Sequence, residues 1–409
     1  MERMKTVRRW VELPLRKLLD RGRSVLLLGP RQTGKTTLLS LFDVDVSLNF
    51  LRPEVRMRYE REPQLLGAEL AAQKTRPGRS CPLVALDEIQ RVPALLDVIQ
   101  DLVDRKAAQF ILTGSSARKL RRGTGINLLP GRLTPMRLDP LSLGERPPRS
   151  LDDALLFGSL PALALAEEDA IREQDLQSYT ALYLDEEIRA EALVRNLGSF
   201  SRFLRLAAME SGQISHFRGL AQELGIAHTT VAGYYEILED CLIAERVEPL
   251  IASRTRKKLT KSPRYLFFDL GVRRAAAEEG LRPPVRVLGA LFEQYVGLEL
   301  LRGIRQAAPH ARLRFWRDPD GPEVDWVVES GDRLLPIEVK WSDHPGPADA
   351  RHLRTFMAEY PNAPHGYVVC RTPRAFRITP EIEAIPWQHL PGLLNKDFND
   401  PMAPARKGE

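Results

Sequence analysis

The eight residues Gly29-Pro30-Arg31-Gln32-Thr33-Gly34-Lys35-Thr36 limit what this chain can fold into more than any other stretch. They fit G-x-x-x-x-G-K-[ST], and each fixed position has a physical duty. Glycines let the backbone wrap a phosphate, so that successive N–H groups point at the anion. The helix that follows turns its positive N-terminus to the same charge. The lysine reaches the β- and γ-phosphates, and the last hydroxyl binds Mg²⁺. The pattern carries this meaning only between a strand and a helix. The apolar run Ser24–Leu28 supplies the strand, and residues Lys35 to Phe42 predict the helix. Gly29, Pro30, Arg31, Gln32, Thr33, Gly34, Lys35, Thr36 and Thr37 are therefore the expected ATP-binding loop, with Lys35 catalytic and Thr36 a Mg²⁺ ligand.

Two further apolar runs, Leu83–Leu86 and Phe110–Leu112, are continuous rather than alternating, as strands buried on both faces of a parallel sheet are. The first ends in Asp87-Glu88, at the strand tip where ligands gather in such sheets. Asp87 is the expected second Mg²⁺ ligand, and Glu88 the group that polarises the attacking water. The other ends in Thr113-Gly114-Ser115-Ser116, where Thr113 or Ser115 is placed to sense the γ-phosphate.

These residues resemble one prokaryotic group of AAA+ ATPases, which joins an AAA-type domain to a C-terminal restriction-endonuclease-like domain long treated as a domain of unknown function. Gly131-Arg132 ahead of Pro140-Leu141-Ser142, with Gly158–Pro161 and Tyr183–Ile188, extend the resemblance along the chain. It implies a homo-oligomer, a hexameric ring, with an arginine entering the neighbour's ATP site. Arg132 is the first candidate for that catalytic arginine and Arg118 the second.

At roughly 150 residues per domain, 409 residues suit two or three domains. The expected architecture is α/β. A P-loop ATPase domain with a parallel sheet spans 1–146, and a helical, winged-helix-like module spans 147–255. A C-terminal α/β restriction-endonuclease-like domain spans 256–390, and a flexible tail follows over 391–409. The middle carries a helix-turn-helix pattern, Phe217 to Gly225 and His228 to Asp240, whose second helix has no arginine or lysine over its first nine residues. That is a poor groove reader, since such helices carry basic or amide side chains at their start.

The C-terminal third holds Glu338 and Lys340 on one face of a predicted strand, with Ile337, Val339 and Trp341 on the other. A hairpin through Ser330-Gly331-Asp332 would bring Asp325 beside Glu338, and Glu293 lies on a predicted upstream helix. The Glu, Asp, Glu-x-Lys order resembles the PD-(D/E)xK nuclease fold. That likeness implies Asp325 and Glu338 as metal ligands, Glu293 as supporting acid and Lys340 as catalytic lysine. It also leaves open a nuclease-like fold that binds without cutting. The proline that precedes the Asp in that pattern is replaced by Val324.

Charge enters through placement. The formal net charge is only +6, but bases gather at Arg118, Lys119, Arg121 and Arg122, and again at Arg254, Arg256, Lys257, Lys258, Lys261 and Arg264. Both strips are candidate DNA contacts through phosphate. No secretory leader or membrane span is expected, since the longest uncharged apolar stretch, Ala154 to Ala166, is short and broken by Gly158 and Pro161. Three scattered cysteines give neither a disulfide scaffold nor a zinc site, which makes the cytoplasm the default compartment.

The reading that follows is a Mg²⁺-dependent ATPase that remodels or translocates DNA, branched or Holliday-junction-like DNA among its targets, with a nuclease-like domain that grips or cuts. The alternative is an ATP-dependent switch or defence (toxin–antitoxin-type) protein with a dormant nuclease-like domain. A metabolic kinase fits least, because no acceptor site is visible.

Overall fold

The computed structural model describes residues 7–73, 75–116, 131–184, 197–251, 259–319 and 321–398. Arg118, Lys119, Arg121, Arg122, Arg254, Arg256, Lys257 and Lys258 lie outside the described residues.

Strands β1 (Ser24–Leu28), β2 (Val46–Asn49), β3 (Leu83–Asp87), β4 (Gln109–Gly114) and β5 (Leu133–Arg137) form one sheet in the order β2-β3-β4-β1-β5. Every pairing in it is parallel. Helices α1 (Glu12–Asp20) and α2 (Lys35–Leu39) cover one face, and α3 (Pro53–Arg61), α4 (Leu65–Ala72) and α5 (Leu95–Asp104) cover the other. The period of two decides which side chain goes where. Leu26, Val84, Leu86, Phe110 and Leu112 pack with the α3–α5 layer. Val25, Leu27, Leu83, Ala85 and Ile111 pack with α1 and α2. The helix after the loop ends at Leu39 rather than Phe42, because the chain tightens into i→i−3 bonds (Leu41 N to Leu38 O, Phe42 N to Leu39 O) that tuck the Phe42 ring into the core.

The middle contains α6 (Leu151–Phe157), α7 (Pro161–Leu165), α8 (Asp169–Ser178), α9 (Leu197–Met209), α10 (Phe217–Leu224) and α11 (His228–Asp240). The predicted helix-turn-helix is α10 and α11. Gly225 stops α10 in the left-handed region at φ 65°, and Ile226 N donates to Ala221 O at 3.0 Å. An antiparallel hairpin of β6 (Ala244–Pro249) and β7 (Arg264–Phe267) follows, then α12 (Leu270–Ala276). The expected divide at 255/256 falls between the two strands of this hairpin. Phe267, Phe268, Val272 and Ala276, all beyond it, share one core with α9–α11.

The last unit begins with the long helix α13 (Val285–Ala307), followed by β8 (Arg312–Arg317), β9 (Glu323–Ser330), β10 (Arg333–Val339), α14 (Arg351–Glu359), β11 (Gly366–Cys370), β12 (Phe376–Arg377), β13 (Ile382–Pro386) and α15 (Leu390–Phe398). Its eight-stranded sheet runs β12-β13-β11-β10-β9-β8-β6-β7, so the hairpin of the middle continues it. The chain expected to loosen at Pro391 instead forms α15. Proline fits a first helical turn, and Leu390, Leu393 and Leu394 make an i, i+3, i+4 stripe buried in the core with α13.

The C-terminal half of α13 is riveted to the exit of the first sheet. Glu299 accepts from Leu143 N at 2.8 Å, and Arg302 donates to Leu141 O and Phe268 O. Arg305 reaches both Asp139 and Glu245 at 2.8 Å. Asp139 is buried; burial opposes its ionisation, but Arg305, Arg137 and Arg302 together hold its carboxyl down at about 2. Its folded value lies below the ordinary 3.8, so its contribution is full above pH 3.8 and is lost as pH falls through about 2. Asp139→Asn should therefore cost about 3–5 kcal/mol at pH 7, the scale for breaking a buried ion pair, with the deficit shrinking on acidification. Urea unfolding of both proteins at pH 7 and pH 3 checks this; an equal deficit at both would refute it.

Candidate nucleotide site and C-terminal carboxylate cluster

The loop after β1 is pressed against β5's exit. A Cβ on Gly29 would lie 2.3 Å from Leu138 O, so only glycine fits there. Gln32 (φ 62°) and Gly34 (φ 94°) take left-handed conformations that make a concave nest of N–H groups. Buried Lys35 donates its Nζ to Gly29 O at 2.9 Å and Pro30 O at 3.0 Å, and stands 3.7 Å from Glu88 Oε1. Thr36 Oγ1 donates to Asp87 Oδ2 at 2.7 Å, which puts the two expected Mg²⁺ oxygens side by side. The donor set and the nest fit a Mg²⁺–nucleotide. A cavity of about 470 Å³ opens here, lined by Arg31, Gln32, Lys35, Thr36, Thr37 and Glu88, with Pro161, Ala162 and Leu165 of α7 forming part of its wall.

Thr113 turns inward. Its hydroxyl donates to Asp87 Oδ1 and accepts from Glu88 N at 3.1 Å. Ser115 donates to Glu88 Oε2 at 3.0 Å. Both serine and threonine therefore act on the carboxylate pair. Three residues here escaped the sequence. Asn49 donates to Asp87 Oδ2 at 3.1 Å, and Gln90 donates to Glu88 Oε2. Arg9 ties the loop to its surroundings through Thr33 O at 2.7 Å, Asp139 O at 2.6 Å and Glu145 at 2.9 Å. Only Gln90, two residues past the acidic pair, had a positional signal.

Arg132 pairs with Asp104 at 2.6 Å, just before β5, where Leu133 is in register with Ser24 at the start of β1. The loop follows the opposite end of β1, so Arg132 stands away from the phosphate site of its own chain.

In the C-terminal unit, β9 and β10 pair antiparallel with Trp326 opposite Ile337, and this register sets Asp325 beside Glu338. Asp325 Oδ2 accepts from Val339 N at 2.8 Å, and Lys340 Nζ donates to Glu338 Oε1 at 2.7 Å. Glu338 Oε2 is buried with no hydrogen-bond partner, a donor atom that fits a cation. Glu293 projects from α13 and is bound by Arg264. Burial and the Asp325 charge push Glu293 up to about 7, and the same two causes push Glu338 well above its usual range. Asp325 is raised by burial. Burial pulls Lys340 down, but Glu338 and Asp325 outweigh it and hold the ammonium above its ordinary value.

Two expectations need correction. Arg264 is not part of a solvent-facing phosphate strip. Its position on β7 turns it inward, 4.6 Å over the Phe315 ring, where it neutralises Glu293. Glu293 in turn is committed to that guanidinium, and among the described residues no group of three or more His, Cys, Asp or Glu is arranged to hold a metal. Of the basic strips, Lys261 is described and exposed.

The fold and loop geometry define a P-loop nucleotide-binding domain, and the comparisons agree. Residues 21–146 match the family described as AAA domain. Residues 148–282 and 288–390 match two domains of unknown function, DUF8612 and DUF4143. The first and last of these matches support a P-loop AAA-type ATPase family, and with it nucleotide binding. The chain is 29% identical over 354 residues to uncharacterized proteins of Mycobacterium tuberculosis (strain ATCC 25618 / H37Rv) and Mycobacterium bovis (strain ATCC BAA-935 / AF2122/97), covering 84% of this chain and 76% of each relative. The DNA clamp loader delta protein of Bacillus subtilis shares 13% identity at a TM-score of 0.23, over 56% of this chain and 87% of that one, a likeness too slight to carry function. Among the described residues no helix is long and apolar enough to cross a membrane.

Proposed function

We propose that this chain is a Mg²⁺-dependent AAA+ ATPase that couples ATP hydrolysis to remodelling or translocation of DNA, branched DNA included, and that its C-terminal unit is a restriction-endonuclease-like domain that grips or cuts the product. The observation that carries the reading is α13. The N-terminal half of this helix carries Glu293, which Arg264 holds next to Asp325, and the C-terminal half is fixed by Glu299, Arg302 and Arg305 to the strand exit beside Gly29. A change at the phosphate loop thus has a rigid path to the second site.

At the nucleotide site Thr36 and Asp87 would hold Mg²⁺, which neutralises charge on the β- and γ-phosphates. Lys35 leaves its loop carbonyls to face those phosphates, and Glu88 orients the attacking water and draws its proton. Arg132 serves the site of a neighbouring copy in a hexameric ring. In the C-terminal unit Asp325 and Glu338 are the proposed metal ligands and Lys340 the catalytic lysine. DNA contacts fall to Lys261 and to the basic residues at 118–121 and 254–258, and the protein works in the cytoplasm. Hydrolysis rates with branched, duplex and single-stranded DNA test the reading. At least one should raise the rate several-fold at low salt, with the effect fading as salt rises; an unchanged rate with all three would sink it.

The alternative, an ATP-dependent switch with a dormant nuclease-like domain, draws on one observation. Arg264 and Lys340 already neutralise the carboxylate cluster from within. It predicts slow turnover, and full signalling by Glu88→Gln locked on ATP.

A further inference from the structure

We infer that Gln90 is a positioning residue for hydrolysis, acting with Ser115 as a clamp that fixes the Glu88 carboxylate. The inference rests on the ATPase reading above. Glu88 has the left-handed conformation φ 60°, ψ 48°, and a 3₁₀ turn over Ile89–Arg91 follows it at once. That turn folds Gln90 back beside Glu88. The Gln90 amide then donates to Glu88 Oε2 and, at 3.0 Å, to Ser115 Oγ, while Ser115 Oγ donates to the same Oε2 at 3.0 Å. One carboxylate oxygen is thus held from two sides, and the other, Oε1, faces Lys35 at 3.7 Å.

Two features show that this arrangement is built in. Gln90 is buried, yet its Oε1 has no hydrogen-bond partner, so the amide gives up a buried acceptor to keep its N–H groups on Glu88 and Ser115. The backbone beneath it is Gly114, where a Cβ would lie 2.9 Å from that same Oε1. Gly114 does not have a left-handed φ, so the glycine serves the amide's closeness rather than a turn.

The clamp matters because of Lys35. A free Glu88 side chain would swing to the ammonium, with which it already pairs loosely, and lose its aim at the water. A displacement of that size, about 1 Å, costs up to about 10²-fold in rate. Gln90 touches neither nucleotide nor water in this scheme; it works through Glu88.

Gln90→Met tests this without opening a cavity, since methionine fills the same space and lacks both donors. The expected result is a kcat for ATP lowered about 10- to 100-fold, with KM and nucleotide affinity within about threefold of wild type. Gly114→Ala, which displaces the amide instead of removing it, should lower kcat in the same way. In a Glu88→Gln background Gln90→Met should have no further effect on kcat. A wild-type kcat for Gln90→Met, a loss carried in KM, or an equal further loss in the Glu88→Gln background would each overturn the clamp. Absence of ATPase activity in the wild type would overturn the underlying reading instead.

Discussion

Lys35→Ala should lower kcat for ATP hydrolysis by about 10³-fold or more while leaving the fold intact. The lysine places its ammonium within the wrap of the loop, donating to Gly29 O and Pro30 O. A donor aimed at developing charge in a water-excluded site is worth about 10²–10³ in rate. Lys35 adds a full charge to that, and the same charge binds the ground-state phosphates. Nucleotide affinity should therefore fall with kcat. Lys35→Arg should rescue little, because a planar fork cannot replace a compact ammonium in a buried slot. The melting temperature should move by only a few degrees, since Glu88 keeps its bonds from Gln90 and Ser115, and the two loop carbonyls are freed where Lys35 lines the open cavity, so that water can reach them. Phosphate release, nucleotide titration and a thermal melt read the three effects. Hydrolysis within tenfold of wild type would remove Lys35 from the mechanism.

What was legible in the sequence followed from local rules. Continuous apolar runs mark β1, β3 and β4, because a strand buried on both faces needs no polar alternation. The spacing of Asp325, Glu338 and Lys340 gave their juxtaposition, because a hairpin register and a period of two leave little freedom. What was hidden is long-range. Arg9 meets Glu145 across 136 residues, and Arg305 meets Asp139 across 166. Nothing in either local window marks the partner. Arg264 misleads for the same reason. In sequence it ends a run of bases, whereas in space it is the counter-charge of Glu293 and lies over Phe315. Gln90 is intermediate, since its position beside Glu88 was visible and the left-handed turn that folds it back was not.

Glu338→Gln should separate a working metal site from a structural ion pair, because the two roles predict opposite signs. Glu338 is buried among Asp325, Glu293 and Lys340, and burial with the Asp325 charge pushes its carboxyl well above its ordinary range. A carboxyl raised on folding binds its proton more tightly in the native state, so its ionisation costs stability as pH rises. For neighbouring Glu293 the window runs from 4.5 to about 7. Removing the Glu338 charge relieves this repulsion, and the amide oxygen of the substituted side chain can still accept from Lys340. The variant should then be more stable than wild type at pH 7 by about 1 kcal/mol, the scale of relief found when a strained functional group is neutralised. Its advantage should shrink below pH 4.5, where the raised Glu338 and Glu293 carboxyls of the wild type hold their protons in the folded and unfolded states alike. Mg²⁺ should stabilise the wild type through binding to the native state alone and leave the variant unchanged. If the C-terminal unit cuts, its Mg²⁺-dependent DNA cleavage should fall about 10³-fold or more in the variant, because losing Glu338 would remove one of the two proposed ligands of an ion that would activate water. ATP hydrolysis should stay at the wild-type rate in Glu338→Gln and in the double variant Asp325→Ala, Glu338→Ala. A Glu338→Gln protein that is less stable at pH 7, with a wild type indifferent to Mg²⁺, would make the cluster a structural ion network and leave the metal assignment without support.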